Sequence, residues 1–421
     1  MNNKTERLKE YAKMLINKYG SPLYVYDYEM LKKRCEDMSK LQKQLENALA
    51  KKVRMHYSTK ANSNPYILET VKEAGLYVDC MSPVELMINK KCGFKNQEIL
   101  YVCNNITAEE MKLVYESKIL ICLDSISQVD TWGKQFPGTK IMVRINPGVV
   151  GVGHSEKVIT SGKLTKFGIT EENFEELFEV AKKYNLTIIG IHQHLGSLFL
   201  NDKIDNYIMG VKAGLNLIKK HFKNIKIVDL GGGFGVPYKP EEKPLNLDIV
   251  SEKLIKVLKE FVNEYQSVEE FKFEPGRYIP CEAGYLIGQV TAIKHENGQY
   301  YIGTDIGMNQ LVRPSMYDAY HEITIFGTKS EEKIQANIVG NICESGDILG
   351  KNRTITLPNI GDLVVVSNAG AYGSSMASNY TGRLRPGEVM IYKDGRIEKM
   401  KDRETETNIL QGLYFPKKYK I

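Results

Sequence analysis

Cysteine is scarce in this sequence and follows no regular spacing. Seven cysteines are spread over 421 residues, and no two of them form a C-x-x-C pair. An odd, unpaired set argues against a disulfide scaffold, and the lack of C-x-x-C pairs argues against structural zinc. We therefore expect free thiols, no bound metal and a location in the reducing cytoplasm.

Long hydrophobic runs are also lacking. No apolar stretch reaches the roughly 20 residues that a helix needs to cross a bilayer, and residues 1–20 contain no signal-peptide core. The net charge of +6 is modest and the lysines are dispersed, so we expect neither a membrane nor a nucleic-acid partner. The hydrophobic share of 42% is typical of a globular protein, and the length suits about two domains.

Short β-rich runs alternate with segments of helical spacing through the first two thirds of the chain. The runs are Val53–Ser58, Leu76–Cys80, Glu98–Val102, Ile119–Asp124, Lys140–Ile145, Thr187–His192, Lys226–Leu230 and Phe271–Phe273. Eight strands in this rhythm predict an α/β fold with a closed (β/α)8 barrel, the alternative being an open doubly wound sheet.

Strand-like runs replace the helical spacing after Arg277, which predicts a C-terminal β domain that is barrel-like or sandwich-like. The early run Leu23–Tyr26 precedes the barrel and could join that domain. We therefore expect an N-terminal segment 1–30 that contributes to the β domain, a barrel over 31–277 and the β domain over 278–421.

Unusual residues follow the ends of the predicted strands, where barrel enzymes place their sites. Lys60 follows the first strand, although a lysine there is also an ordinary loop residue. The sixth strand ends in His192-Gln193-His194, and we take the two histidines to alternate between the faces of the strand. We therefore expect at most one of the two histidines to point into the barrel mouth.

The last two predicted strands end in a glycine-rich turn and an acid. The seventh is followed by Gly231-Gly232-Gly233, which would let backbone N–H groups approach a phosphate, although a plain tight turn also uses glycine. The eighth ends in Glu274-Pro275-Gly276-Arg277, where a structural ion pair is the alternative. A lysine, a phosphate cradle, an imidazole and a carboxylate together match the needs of pyridoxal phosphate.

Three motifs beyond the barrel carry a resemblance to a known family: Asp305–Glu322 (DIGMNQLVRPSMYDAYHE), Val339–Asp347 (VGNICESGD) and Asn368–Tyr380 (NAGAYGSSMASNY). With these, residues from about 23 to 392 resemble the alanine-racemase-fold decarboxylases, and among them the diaminopimelate decarboxylases. The resemblance implies a pyridoxal-phosphate-binding (β/α)8 barrel with a β domain. It also implies decarboxylation of meso-diaminopimelate to lysine, the last step of lysine biosynthesis.

The resemblance also assigns roles to individual residues. It implies that Lys60 attaches the cofactor covalently, that His194 stacks on the cofactor ring and that Glu274 pairs with the ring nitrogen. Cys343 matches a proton donor that enters the site from the other subunit of a homodimer. The implied phosphate-side residues are Ser197, Gly233, Pro275, Gly276, Arg277 and Tyr372. The implied substrate-binding residues are Arg277, Arg313, Tyr317, Glu344 and Tyr372.

Two features depart from the family pattern and bear on the substrate. Leu198 stands where Gln or Gly is more usual, and residues Thr381–Gly387 replace the usual Asn-x-Arg-Pro-Arg-Pro-Ala. The alternatives are a decarboxylase of ornithine, lysine, arginine or carboxynorspermidine, an amino-acid racemase of the same fold, and an inactive regulatory homologue. A racemase would be expected to pair an arginine with the ring nitrogen, and an inactive homologue should have lost Lys60 or Cys343.

Overall fold

The computed structural model describes residues 3–148, 162, 165–328 and 330–416. The chain divides into two compact units. The barrel unit is Met30–Pro280, and the β unit combines Met1–Glu29 with Cys281–Ile421. The chain starts in the β unit with helix α1 (Asn3–Tyr19) and strand β1 (Leu23–Asp27).

Eight parallel strands form the barrel unit. They are β2 (Lys52–Ser58), β3 (Tyr77–Cys80), β4 (Ile99–Val102), β5 (Leu120–Leu123), β6 (Lys140–Arg144), β7 (Thr187–His192), β8 (Ile227–Asp229) and β9 (Glu270–Phe273). Each strand pairs with the next, and β9 returns to pair with β2, with Glu270 opposite Lys52. The predicted closed barrel is confirmed, and an open sheet is excluded.

In the described part of the barrel unit, eight α-helices alternate with these strands. They are α2 (Tyr28–Leu49), α3 (Pro65–Glu73), α4 (Pro83–Lys91), α5 (Ala108–Glu116), α6 (Ile126–Gln135), α7 (Phe174–Lys183), α8 (Ile204–His221) and α9 (Leu247–Glu264). Several begin at a polar cap: Ser82 and Thr107, for example, accept a hydrogen bond from an N–H in the first turn of α4 and α5.

The β unit is built on one mixed sheet. Its further strands are β10 (Gly284–Glu296), β11 (Gln299–Thr304), β12 (Ile323–Phe326), β13 (Lys333–Val339), β14 (Ile348–Thr356), β15 (Leu363–Val366), β16 (Gly387–Ile391) and β17 (Ile397–Lys401). Its short helices are α10 (Arg313–Tyr317) and α11 (Glu406–Leu410). The main path runs β14-β13-β11-β10-β1-β16-β17, and β15 pairs with both β10 and β12.

Strand β1 lies in the middle of this sheet, antiparallel to β10 and parallel to β16. The early run Leu23–Tyr26 therefore pairs with strands from the C-terminal part of the chain. Its side chains Leu23 and Val25 are buried in one apolar core with Leu15 of α1 and Ile287 of β10. This burial explains why an isolated N-terminal strand is so apolar.

Sequence patterns missed β14 and β17, which lie at the two ends of the main path. Both carry several exposed or half-buried polar residues, among them Lys351, Asn352 and Lys399. Edge strands tolerate such residues because they discourage pairing with other chains. None of the described helices combines the length and apolar character needed to cross a membrane. The seven cysteines are free thiols, and Cys343 is exposed.

Candidate active site

Polar side chains gather where the barrel strands end. Asp79 of β3 lies opposite Ser58 of β2, and His192 of β7 lies opposite Asp229 of β8. Glu274 directly follows β9, and Lys60 lies in a single 3-10 turn directly after β2. Because the strands are parallel, their carboxyl ends meet at one mouth, which is the end where barrel enzymes hold their sites.

Glu274 is the electrostatic centre of this mouth and is 5% exposed. Its Oε2 lies 3.3 Å from Nε2 of His192 and 4.0 Å from Nδ1 of His194. Burial alone would raise the pKa of Glu274, but His192, through its charge and its hydrogen bond, and the charge of Lys60 lower it below its usual range. Glu274 is therefore an ionised carboxylate at neutral pH. Among the described residues, no group hydrogen-bonds its Oε1.

Two further buried acids behave in the opposite way. Burial raises the pKa of both Asp79 and Asp229, and the charge on Glu274 raises each of them further. Ser58 Oγ donates to Asp79 at 2.7 Å, and the Gly231 N–H donates to Asp229 at 2.9 Å. The mouth thus concentrates its negative charge on Glu274, because neighbouring buried acids cannot all ionise.

The histidine segment corrects one expectation, since both rings face the mouth. A nitrogen of each ring lies within 4.0 Å of Glu274, and the two rings stack 6.5 Å apart. The expectation was wrong because residues two apart on a strand share one face and only direct neighbours alternate.

His194 is held as a neutral ring. Its Nδ1 accepts a hydrogen bond from the Gly232 N–H at 3.1 Å, which places the ring proton on Nε2. Burial lowers the pKa of His194 well below its usual value, and the positive charge of Arg144 lowers it further. A neutral, oriented imidazole suits contact with a flat ring better than a charged one that needs solvation.

The glycine-rich turn packs its backbone tightly against Glu274 and the histidine segment. A Cβ on Gly232 would lie 2.0 Å from the carbonyl oxygen of Glu274, and one on Gly231 would lie 2.6 Å from that of Gln193. Gly231 and Gly233 have φ values of +69° and +101°, a region that favours glycine. The turn itself therefore needs these glycines, and the phosphate role of Gly233 stays a prediction.

Arg277 and Ser197, two predicted phosphate ligands, lie together. Arg277 is buried; its Nη2 donates to Ser197 Oγ at 3.3 Å and its Nη1 donates to the Tyr238 hydroxyl at 2.8 Å. Pro275, between Glu274 and Gly276, accepts a hydrogen bond from the Ser58 N–H at 3.2 Å. Sequence reasoning missed Tyr238, which lies in a loop after the glycine turn and carries no motif.

Leu198, the first departure from the family pattern, has a φ of +68° and is 9% exposed. Gly, which the family often has here, adopts this conformation freely, whereas leucine does so at a cost. The Phe199 N–H next to it donates to the carbonyl oxygen of Gly233 at 2.9 Å. Leu198 thus borders the glycine turn without adding a polar group to it.

The remaining predicted residues lie in the β unit. Arg313 is 1% exposed, and its Nη1 donates to Nε2 of His321 at 3.0 Å. Its neighbour Tyr317 ends the same short helix, α10. Arg313 is therefore built into this unit, and its role as a substrate ligand stays a prediction.

Cys343 and Glu344 occupy an exposed loop between β13 and β14, and the Tyr380 hydroxyl donates to Glu344 Oε1. Tyr372 has a φ of +56°, which is uncommon for a residue other than glycine and is found at functional turns. Tyr380 carried no predicted role, although it ends the third family motif.

His192, His194 and Glu274 also place three metal-type donor atoms within 4.8 Å of one another. His194 Nδ1 already accepts the Gly232 N–H at 3.1 Å, which removes one of these lone pairs. The donor set fits pyridoxal phosphate better. The buried, ionised Glu274 presents Oε1 to a protonated ring nitrogen, Lys60 supplies an amine, and Arg277 and Ser197 supply phosphate donors.

Comparisons with known proteins identify the family of the chain. Residues 35–281 match the model of the pyridoxal-dependent decarboxylase family, pyridoxal binding domain. Diaminopimelate decarboxylase of Methanothermobacter thermautotrophicus is 34% identical over 96% of this chain and 94% of its own length. The enzyme of that name from Aquifex aeolicus is 35% identical over 95% and 93%.

A solved structure is similar over nearly the whole chain as well. Diaminopimelate decarboxylase of M. jannaschii, in complex with L-lysine, has a TM-score of 0.85 and 29% identity, covering 96% of this chain and 94% of its own. These similarities decide which family the chain belongs to. The buried acid, the lysine and the glycine turn of the barrel mouth are consistent with that family. This chain belongs to the pyridoxal-dependent decarboxylases, and within them to the diaminopimelate decarboxylase family.

Proposed function

We propose that this chain decarboxylates meso-2,6-diaminopimelate to L-lysine and carbon dioxide with pyridoxal phosphate as cofactor. The observation that carries the proposal is the ionised, 5% exposed Glu274 beside two histidines at the barrel mouth. The relatives that match over 96% and 95% of the chain bear the name of this activity.

Residues of the barrel unit would bind the cofactor. Lys60 would attach it covalently, His194 would lie against its ring, and Glu274 would hold the ring nitrogen protonated. Ser197, Arg277 and the backbone of Gly233 and Gly276 would bind its phosphate. Tyr372 of the β unit would add a phosphate contact.

Decarboxylation needs a place for the electron pair left at Cα, and the bound cofactor supplies this electron sink. Glu274 maintains it, because a carboxylate whose pKa is low stays charged and keeps the ring nitrogen protonated. A racemase of this fold would place an arginine against that nitrogen. In this chain the acid Glu274 would take that place, with two histidines beside its Oε2. The geometry thus favours decarboxylation.

Cys343 would return a proton to Cα after carbon dioxide leaves. Its thiol is exposed on a loop of the β unit, which suits delivery to another chain. We propose that the protein is a cytoplasmic homodimer in which each site combines Lys60 of one chain with Cys343 of the other. Arg313, Tyr317 and Glu344 would bind the far end of the substrate, which carries a carboxylate and an ammonium.

Release of carbon dioxide from carboxyl-labelled amino acids tests the activity. We expect release from meso-diaminopimelate and little from lysine, ornithine, arginine or carboxynorspermidine. Hydrogen exchange at Cα without carbon dioxide release would instead identify a racemase. Preferred turnover of ornithine or lysine would show that Leu198 and Thr381–Gly387 were the better guides to the substrate.

Mixing inactive subunits tests the shared site. Lys60→Ala and Cys343→Ala chains, refolded together in equal amounts, should regain about a quarter of the activity, since half the dimers carry one intact site of two. Lys60→Ala mixed with Glu274→Ala is the matched control, because both changes affect the same half of the site. Equal inactivity of both mixtures, despite heterodimer formation, would refute sharing.

A further inference from the structure

Tyr380 bonds directly to one of the proposed substrate-binding residues. Its hydroxyl donates to Oε1 of Glu344, which follows Cys343 in the chain. This hydrogen bond and the charge of Glu344 raise the pKa of Tyr380, and Cys343 adds a smaller effect of the same sign. The phenol therefore remains protonated and donates to the carboxylate.

The loop that carries Glu344 is fixed close to this residue. The Asp347 carboxylate accepts the N–H groups of Met308 at 2.6 Å and Ile342 at 2.7 Å. Ser315 of α10 donates from its hydroxyl to the Gly346 carbonyl at 2.7 Å. The loop backbone is thus held on both sides of Glu344, while the glutamate side chain projects from it exposed.

The segment that carries Tyr380 is fixed as well. The Ser378 N–H donates to the carbonyl oxygen of Asn309 at 2.8 Å. The Asn379 amide donates to the Arg383 carbonyl at 3.0 Å and to the Glu404 carboxylate at 2.5 Å. Two separately anchored segments therefore meet at the contact between Tyr380 and Glu344.

We propose that Tyr380 is a positioning residue that orients the Glu344 carboxylate toward the ammonium group at the far end of the substrate. The inference rests on the proposed function, in which Glu344 binds that group. A carboxylate has two oxygens, and the phenol occupies Oε1, which leaves Oε2 for the substrate. Without the phenol, the exposed glutamate would spread over several rotamers, and fixing one of them on binding would cost conformational entropy.

Tyr380→Phe in the full-length holoenzyme tests this role. We expect the KM for meso-diaminopimelate to rise about five- to tenfold while kcat changes less than about twofold, as loss of a binding contact predicts. Tyr392→Phe is the matched control, since its hydroxyl also donates to a carboxylate of the β unit, Glu398 Oε2 at 3.1 Å. The control should keep the wild-type KM.

A double-mutant cycle separates orientation of Glu344 from a general structural role. In a Glu344→Gln background, Tyr380→Phe should raise KM by less than about twofold further, because its effect acts through the carboxylate. An equal rise in both backgrounds, or an unchanged KM in the single variant, would overturn the inference. If the wild type fails to decarboxylate meso-diaminopimelate, the proposed function fails; if the wild type is active and Tyr380→Phe matches it, only the role of Tyr380 fails.

Discussion

Gly232 offers a sharp test of how the barrel mouth holds Glu274. A Cβ at this position would lie 2.0 Å from the Glu274 carbonyl oxygen and 2.9 Å from its carbonyl carbon. Both atoms belong to the backbone, so Gly232→Ala must displace the chain by about 1 Å to reach a tolerable contact. Overpacking of this kind costs about 1–3 kcal/mol, and a 1 Å misplacement at a site can reduce turnover about a hundredfold.

We therefore expect Gly232→Ala to fold, to melt roughly 5–10 °C lower and to lose about a hundredfold in kcat/KM. Thermal melting and steady-state decarboxylation measure the two effects. Gly303→Ala in β11 is the control, because its Cβ would approach Ala292 only to 3.2 Å, which requires a shift of about a few tenths of an ångström and not about 1 Å. If Gly232→Ala matches this control in both measurements, the close packing of the turn against Glu274 does not set the geometry of the mouth.

The remaining predictions address single residues. Borohydride reduction should fix the cofactor's mass on the Lys60 peptide, as mass spectrometry would show, and a label on another lysine would refute the assignment. Because burial and the charge of Glu274 raise the pKa of Asp229 above 3.8, the contribution of Asp229 to stability should fall as pH rises above about 4. Thermal melts of Asp229→Asn should therefore gain on the wild type toward pH 8, and a constant difference would contradict this. Thr381 has a φ of +55°, so Thr381→Asn should stabilise the protein by about 0.5–1 kcal/mol in denaturant titrations, and no gain would show that the turn is unstrained. Arg313→Ala should lower turnover of diaminopimelate about ten- to a hundredfold more than any turnover of lysine, whereas equal losses with a lower melting temperature would identify a structural arginine.

The barrel was predictable because its strands are buried on both faces. Such strands read as short continuous apolar runs, and the predicted run Ile119–Asp124, for example, contains β5 with one further residue at each end. The edge strands β14 and β17 lack this signal. An edge strand has no neighbouring strand on one side and carries polar side chains that discourage pairing there.

The polar residues of the mouth could be predicted from their positions just after the strands, whereas their protonation states could not. Whether Asp79 and Asp229 are protonated depends on burial and on the charge of Glu274, which no local pattern records. Both histidines face the mouth because they lie two residues apart, a spacing that keeps side chains on one face of a strand. Tyr238 reaches Arg277 across 39 residues, a distance along the chain that no motif spans.

The central position of β1 in the sheet has a consequence for how the protein is made. Leu23 pairs with Ile287 on one side and Gly387 on the other, so both partners are synthesised long after it. At about 5–20 residues per second, the ribosome needs roughly 20–70 s between Leu23 and Gly387. During that time residues 30–280 can already close their barrel, while an apolar strand waits at its amino end with both edges unpaired. We expect the nascent chain to depend most on chaperones during this interval. Moving residues 1–29 to the carboxyl terminus by circular permutation should shorten the interval.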